Sequence, residues 1–274
     1  MVSVESAGLT DVGRKRKGNE DAFFLDDELK LYVVADGMGG HQAGEVASDL
    51  VVRTIRDYMK RFNSGEEVEE LEDSDKTLSK AANRLMSGIT LSNRVVHQAA
   101  KSRMSYQGMG STVSAVYFNE DTLIATNVGD SPIFLIRNNQ FETLSVPHTV
   151  LAEQAALNRE GDDRFGQEYG HMLTRAMGID DSVKADICEL QCFKGDLLVI
   201  ASDGLTNKVS AEEIQEIVSG RRPAKACRTL VDLANERGGD DNITVIVLRI
   251  KTVQKAGGGP FGRIARLFGA GGRN

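Results

Sequence analysis

Six short runs of β-branched and aromatic residues constrain the fold of this chain more than any other feature of its sequence. The runs lie at residues 30–35, 112–118, 122–128, 132–137, 195–201 and 243–250. Their length and composition are typical of β-strands. Turn-forming residues at 119–121 and 138–139 separate neighbouring runs at hairpin-like spacing, which favours antiparallel pairing in the middle of the chain.

Helical periodicity occurs in separate segments. Residues 43–62 and 76–101 carry apolar side chains at three- and four-residue steps, which places those side chains on one face of a helix. Shorter amphipathic segments lie near 211–218 and 223–236. Strands and helices thus come in blocks rather than in strict alternation. We therefore predict an α+β fold in which helices pack on antiparallel sheets.

Composition excludes several classes of protein. A net charge of −7 over 274 residues argues against generic nucleic-acid binding, which normally needs a basic surface. The cysteines Cys188, Cys192 and Cys227 lack the spacing of a zinc site or a disulfide framework. The N-terminal residues lack the pattern of a signal peptide, and no apolar run approaches the roughly 18 residues that span a bilayer. We expect a cytoplasmic protein.

One strand run ends in an aspartate that is followed by a glycine-rich turn. Asp36 closes the run at 30–35 and precedes Gly37. Rigid backbone can hold such a carboxylate, and glycine lets a main-chain carbonyl approach a cation closely. An ordinary Asp-Gly turn would give the same local sequence, so this motif alone does not establish a site.

The pattern then recurs at distant positions. Asp203 follows the run at 195–201, and Asp241 precedes the run at 243–250. Oxygen ligands without histidine or cysteine select Mg²⁺ or Mn²⁺ over zinc. Carboxylates brought together without cations would repel one another. The recurrence predicts a metal site that is assembled by folding.

A basic run at residues 14–17 stands directly before Glu20 and Asp21. A guanidinium beside metal-binding acids suits phosphate chemistry, because the cation can hold phosphoryl oxygens while the acids hold metal and water. A solvated charged turn is the alternative interpretation of this segment.

Seven segments in one order carry a family resemblance. They are TDVGRKRKGNED (10–21), VADGMGGH (34–41), MGSTV (109–113), NVGDSP (127–132), LTRAMG (173–178), ASDGLT (201–206) and DDNITVI (240–246). Together they resemble the PPM family of metal-dependent, type 2C protein phosphatases, and the bacterial branch most. The resemblance runs from about residue 3 to residue 250.

The resemblance implies a two-layer antiparallel β-sandwich flanked by helices, an α-β-β-α arrangement with metals in a cleft at one end. On this basis we predict a catalytic domain over residues 1–250. Glycines among charged residues at 158–171 further predict that residues 147–172 form a mobile flap. The Gly-rich, basic stretch 251–274 is predicted to be a tail.

The resemblance also implies a ligand set for Mn²⁺ or Mg²⁺, two ions per site. Asp36 would bridge both metals, and Gly37 would offer its carbonyl oxygen. Asp203 and Asp241 would complete the shell of one metal. Asp130 matches the acid that helps to hold a third, weaker metal in bacterial members.

Three further residues receive roles from the N-terminal segment. Arg16 matches the arginine that clamps substrate phosphate. Glu20 belongs to the metal set through a metal-bound water, and Asp21 supports it from outside the ligand shell.

The sequence departs from the family pattern at several positions. Met38 stands where animal members often carry a histidine thought to act as general acid, so the proton donor is unassigned. Pro132 replaces a residue that is often arginine. Pro147 precedes His148 where the family usually shows Asp-His, and we interpret His148 as structural rather than catalytic.

The implied function is hydrolysis of phosphoserine and phosphothreonine in proteins by direct attack of a metal-bridging hydroxide. No catalytic cysteine or serine is required. Phosphorylated proteins and a cognate serine/threonine kinase are the expected partners, nucleic acid is not expected, and the protein is expected to be a monomer.

Two alternatives stay open. A phosphoprotein-binding module without turnover would keep the fold, although such a protein should have lost a metal aspartate. Apolar residues at helical spacing between residues 261 and 268, with arginines among them, could dock on a partner or an anionic membrane surface. A frayed tail is the favoured interpretation of that segment.

Overall fold

A computed structural model describes residues 1–39, 43–66, 75–156 and 172–254. Two antiparallel sheets form its centre. The first has the order β1 (Val2–Asp11), β11 (Ile243–Val253), β10 (Leu197–Ala201), β7 (Ile133–Arg137) and β8 (Gln140–Thr143). The second has the order β2 (Asp21–Asp26), β3 (Leu31–Met38), β5 (Val113–Asn119), β6 (Thr122–Val128) and β9 (Asp186–Gln191), and β4 (Gly110–Ser111) pairs with the end of β3.

Helices cover the outer faces of both sheets. They are α1 (Ala43–Asn63), α2 (Lys80–Ser102), α3 (Val150–Ala156), α4 (Asp203–Thr206), α5 (Ala211–Gly220) and α6 (Pro223–Glu236), with a 3₁₀ turn at Met104–Tyr106. The α1 and α2 helices pack over the second sheet, and α5 and α6 pack over the first.

Successive side chains of the central strands point alternately to the two faces of the sheet, and so they belong to two different hydrophobic cores. In β3, Leu31 and Val33 face the core under α1 and α2, whereas Tyr32 and Val34 face the core between the sheets. A strand that is covered on both faces needs apolar residues at consecutive positions, which explains the continuous hydrophobic runs in the sequence. The predicted α-β-β-α sandwich is confirmed.

The strands that the sequence analysis missed are mostly edge strands. All six predicted runs form strands, but β1, β2, β8 and β9 were not predicted, and each lies at the edge of a sheet. Edge strands are less buried, so their side chains need not be apolar throughout. The β1 strand, for example, contains Glu5 and Thr10 among partly exposed positions.

The domain boundaries stay predictions. The last strand continues to Val253, three residues beyond the predicted boundary at 250. Within the predicted flap, α3 is a short helix, while residues 157–171 lie outside the described residues. The tail from 255 onward also lies outside them. Within the described ranges, no helix has the length and apolar character needed to cross a membrane.

Candidate metal centre and phosphate cleft

Asp36 lies near the end of β3, and its backbone is held by hydrogen bonds from both directions. Its N–H donates to Thr112 Oγ1 at 3.0 Å, and its carbonyl accepts from Thr112 N at 2.8 Å. Ser111 Oγ also donates to this carbonyl at 3.0 Å. The 109–113 segment therefore fixes the backbone from which the Asp36 carboxylate projects.

The acids predicted from scattered positions face one another. Burial raises the pKa of Asp36 well above its usual value, and nearby negative charges raise it further. Those charges belong to Asp21, Asp203, Asp241 and Asp130. Because they reach Asp36 from different parts of the chain, the fold brings the predicted aspartates together.

Buried carboxylate oxygens without partners support a cation site. Asp203 Oδ1 and Asp21 Oδ1 are buried and have no hydrogen-bond partner among the described residues. Burial, followed by the charge of Asp241, raises the pKa of Asp203. A cation would satisfy such oxygens, and an all-oxygen set suits Mg²⁺ or Mn²⁺.

The described carboxylates lie near one another without forming a compact metal-binding cluster. In the parts of the chain that the structure describes, no group of three or more His, Cys, Asp or Glu side chains forms a ready metal-binding cluster. Like charges repel when no cation lies between them. The aspartates are therefore within electrostatic range of one another, and Asp36 and Asp203 interact directly through their side chains.

Gly37 occupies a position that has no room for a side chain. A Cβ there would lie against the carbonyl oxygen of Gly44 and 2.6 Å from that of Glu20. Gly37 N also donates to Glu20 O at 3.0 Å. The glycine therefore lets the end of β3 pass between the segment before β2 and the start of α1.

Glu20 and Asp21 line the same end of the sandwich. The Gly44 N–H donates to the Glu20 carboxylate near the start of α1, and burial raises the pKa of Glu20 while Arg16 opposes that rise. Asp21 Oδ2 accepts from Ser202 Oγ at 2.8 Å, and burial raises the pKa of Asp21 to about 6.

An open cleft of about 460 Å³ borders Glu20, and Arg16 forms part of its wall. Arg16 Nη2 donates to Asp241 Oδ2 at 2.8 Å. Lys17, Asn19 and Glu20 line the same cleft. The cleft thus carries the cationic side chains of Arg16 and Lys17 together with the carboxylate of Glu20.

Asn242 is a site residue to which the sequence analysis gave no role. Its Oδ1 accepts from Glu20 N at 2.8 Å, and its Nδ2 donates to Val12 O and to Gly18 O at 2.9 Å each. Asn242 thereby ties the loop that carries Arg16 to the start of β11. Its one sequence signal is an asparagine between Asp241 and the hydrophobic run at 243–250.

His148 is buried beside this centre. Nδ1 accepts from Gly129 N at 3.0 Å, and Nε2 lies 2.6 Å from Asp186 Oδ2. Burial lowers the pKa of His148, which favours the neutral ring. These contacts agree with the prediction of a structural histidine.

The cysteines are poor nucleophiles. Burial raises the pKa of Cys192 and of Cys227 to about 12, and it also raises the pKa of Cys188. A thiol attacks as its thiolate, which these environments disfavour. Met38 lines a separate cleft with Ile179 and Val183, and it offers no titratable proton.

Comparison with known proteins identifies the class of protein to which this sandwich and its acidic end belong. The family described as Protein phosphatase 2C matches residues 13–241. The chain belongs to this family, the metal-dependent protein serine/threonine phosphatases.

Curated relatives match over almost the whole chain. The serine/threonine phosphatase stp of Listeria innocua is 33% identical over 255 residues, which cover 90% of this chain and 96% of the relative. Protein phosphatase PhpP of Streptococcus pneumoniae is 31% identical over 254 residues, which cover 89% of this chain and 97% of the relative.

A solved structure shares the fold. The Mycobacterium tuberculosis serine/threonine phosphatase PstP/Ppp superposes with a TM-score of 0.78 at 26% identity, covering 92% of this chain and all of that chain. The catalytic domain of PstP has also been solved in complex with two manganese ions, and it matches with a TM-score of 0.77 at 26% identity, covering 92% of this chain and 100% of that one.

Proposed function

We propose that this enzyme removes phosphate from phosphoserine and phosphothreonine in proteins at the cleft beside Arg16. Asp36, Gly37, Asp203 and Asp241 would hold two metal ions there. The convergence of buried negative charges on Asp36 carries the proposal, because such a cluster is unfavourable until cations neutralise it.

Each residue around the cleft has a distinct task in this proposal. The guanidinium of Arg16 receives the phosphoryl oxygens and orients the phosphorus over the acids. Glu20 holds and orients water from beside the start of α1, and Asp21 keeps its neighbours in place through Ser202. Metals held by these residues would supply a water of lowered pKa and would neutralise the charge that develops on the phosphoryl group.

The metals are Mn²⁺ or Mg²⁺, with two per site and a third held in part by Asp130. The oxygen donors accept either ion. The manganese complex of PstP supports Mn²⁺ as the first ion to test. The charge of Asp130, which reaches Asp36, supports its place at the centre.

We further propose that the protein acts as a monomer in the cytoplasm and opposes a cognate serine/threonine kinase. Phosphorylated proteins are its substrates. The predicted tail, and any contact it makes with a membrane or partner, lies outside the described residues.

Phosphate release from a phosphothreonine peptide tests the reaction. We expect activity with Mn²⁺, none after chelation, and none with Asp36→Asn. Asp49→Asn is the matched control, since it removes an exposed carboxylate that pairs with Arg53 on the surface of α1. Equal rates for Asp36→Asn and Asp49→Asn would contradict the proposal.

Calorimetric titration with Mn²⁺ tests the alternative of a binding module without turnover. An active enzyme should bind Mn²⁺, and Asp36→Asn should weaken that binding. A protein that binds phosphopeptide but neither binds Mn²⁺ nor releases phosphate would support the binding module instead.

A further inference from the structure

His148 forms hydrogen bonds to both backbone polar groups of Gly129, and this pair of bonds is called the Gly129 clasp. His148 N donates to Gly129 O at 3.0 Å, and Gly129 N donates to His148 Nδ1 at 3.0 Å. Gly129 has a φ of +98°, in a region that favours glycine, and a Cβ there would lie 2.6 Å from Thr112 Cγ2. The clasp therefore holds a tightly packed turn in one conformation.

The imidazole is held at its other end as well. Because Nδ1 accepts a hydrogen bond, the proton of the neutral ring lies on Nε2 and is donated to Asp186 Oδ2 at 2.6 Å. Arg175 Nη1 donates to the same Asp186 oxygen at 2.9 Å. The ring is only 1% exposed, so its orientation is fixed by these partners and by packing.

The loop that contains His148 does not need the ring to stay in place. Asn127 Nδ2 donates to Val146 O at 2.7 Å, and Val146 N donates to Asn127 Oδ1 at 3.1 Å. This pair already ties the segment before His148 to the end of β6. The ring adds a contact to Gly129, the residue directly before Asp130.

We propose that His148 is a positioning residue: acting through Gly129, it sets the Asp130 carboxylate at the metal centre, and Asp186 and Arg175 fix the ring for this task. The inference rests on the proposed metal site. Residues that orient metal ligands in this way typically change metal affinity or activity about 10–100-fold when they are lost.

The experiment compares His148→Ala with Asp130→Asn by calorimetric titration of the chelator-treated protein with Mn²⁺. We expect both variants to lower the affinity of the weakest Mn²⁺-binding step about tenfold. The affinities of the tighter steps should stay within about twofold of those of the unaltered protein. The double variant should bind as the Asp130→Asn variant does, because both changes remove the same contribution.

Rescue separates positioning from general packing. In His148→Asn, the shorter side chain can place its Oδ1 near the position of Nδ1 and accept from Gly129, but it cannot reach Asp186. It should recover part of the lost affinity. Asp186→Asn, at a more exposed position, gives a second route to the same loss if His148→Ala does not fold.

Thr174→Ala is the control within the same region, since its hydroxyl bonds to Glu153 and not to the clasp. It should bind Mn²⁺ as the unaltered protein does. The inference would be overturned if the losses of Mn²⁺ affinity in the two single variants add in the double variant. It would also be overturned if His148→Ala melts at a lower temperature but binds every Mn²⁺ ion normally. An Asp130→Asn variant with unchanged Mn²⁺ binding would overturn it as well. If the proposed metal site is itself wrong, Asp36→Asn will leave the tighter Mn²⁺-binding steps unchanged, and this result distinguishes that failure from failure of the His148 inference.

Discussion

Arg16 donates from Nη2 to Asp241 Oδ2 across 2.8 Å, so the expected phosphate clamp and an expected metal ligand are paired with each other. The Arg16 side chain is 48% exposed. Exposed ion pairs contribute only about 0–1 kcal/mol to stability. A divalent cation can therefore displace Arg16 from the Asp241 carboxylate. Arg16 is then available to bind a substrate phosphate in the adjoining cleft.

Arg16→Ala should have two opposite effects. Mn²⁺ affinity should rise by up to about fivefold, because the competing cation is gone. The kcat/KM for a phosphothreonine peptide should fall about 10–100-fold, because a charge-assisted hydrogen bond to phosphate is lost. Calorimetry and steady-state kinetics measure the two effects.

Lys17→Ala removes the same charge from the same cleft without removing the Arg16–Asp241 pair. It should leave Mn²⁺ affinity closer to that of the unaltered protein. If Mn²⁺ affinity rises equally in Arg16→Ala and Lys17→Ala, the total positive charge of the cleft, and not the Arg16–Asp241 ion pair, controls metal binding.

Gly37→Ala should destabilise the protein and abolish Mn²⁺ binding, since a methyl group there would push the end of β3 away from Gly44 and Glu20. Overpacking of this kind typically costs about 1–3 kcal/mol, which urea unfolding can measure.

Gly220→Ala provides the contrast, because a Cβ at that position at the end of α5 meets nothing within 4 Å. It should leave activity unchanged and raise the free energy of unfolding by up to about 1 kcal/mol. A Gly37→Ala protein as stable and active as Gly220→Ala would contradict the close packing described above.

Asn242→Ala should lower both stability and kcat/KM. It leaves the Glu20 N–H and two carbonyl groups without their side-chain partner, and each unsatisfied buried group costs about 1–3 kcal/mol. The loop that carries Arg16 would also lose its attachment to β11.

Asn83→Ala is a matched control, since Asn83 Nδ2 bridges the carbonyls of Asp75, Leu78 and Ser79 at the start of α2. It should lower the melting temperature without changing kcat/KM. If both asparagine variants reduce kcat/KM equally, loss of stability rather than loop placement explains the effect.

The Glu213–Arg237 pair should make stability depend on pH. Hydrogen bonds from Arg237 and from the Ser210 backbone lower the pKa of Glu213 to about 2, against an ordinary value of 4.5. The depressed pKa means that the stabilisation is complete above the ordinary value and is lost as the pH falls toward 2.

Glu213→Gln should therefore melt earlier than the unaltered protein at pH 7, and the difference should shrink as the pH falls below about 4.5. Melting curves are measured across this pH range in a chelating buffer, so that metal binding does not contribute to the measured stability. A difference that stays constant with pH would mean that the charge of Glu213 contributes nothing.

The fold was predictable where residues are buried on both faces. In β3 and β10, consecutive apolar positions serve two cores at once, and this pattern is local. The edge strands were not predictable in the same way. Each pairs with only one neighbouring strand among those described and is partly exposed, so its sequence can include polar residues. Their pairing depends on neighbours such as β11, which pairs with β1 from the opposite end of the chain.

The sequence by itself determined the class of fold and the aspartates that end or precede buried strands, because strand and turn chemistry act over a few residues. Only the tertiary structure decided that Arg16 meets Asp241, that Asn242 holds the Arg16 loop and that His148 clasps Gly129. Those contacts join residues that are 225, 222 and 19 positions apart in the chain. Their geometry depends on how the two sheets stack, which no local pattern records.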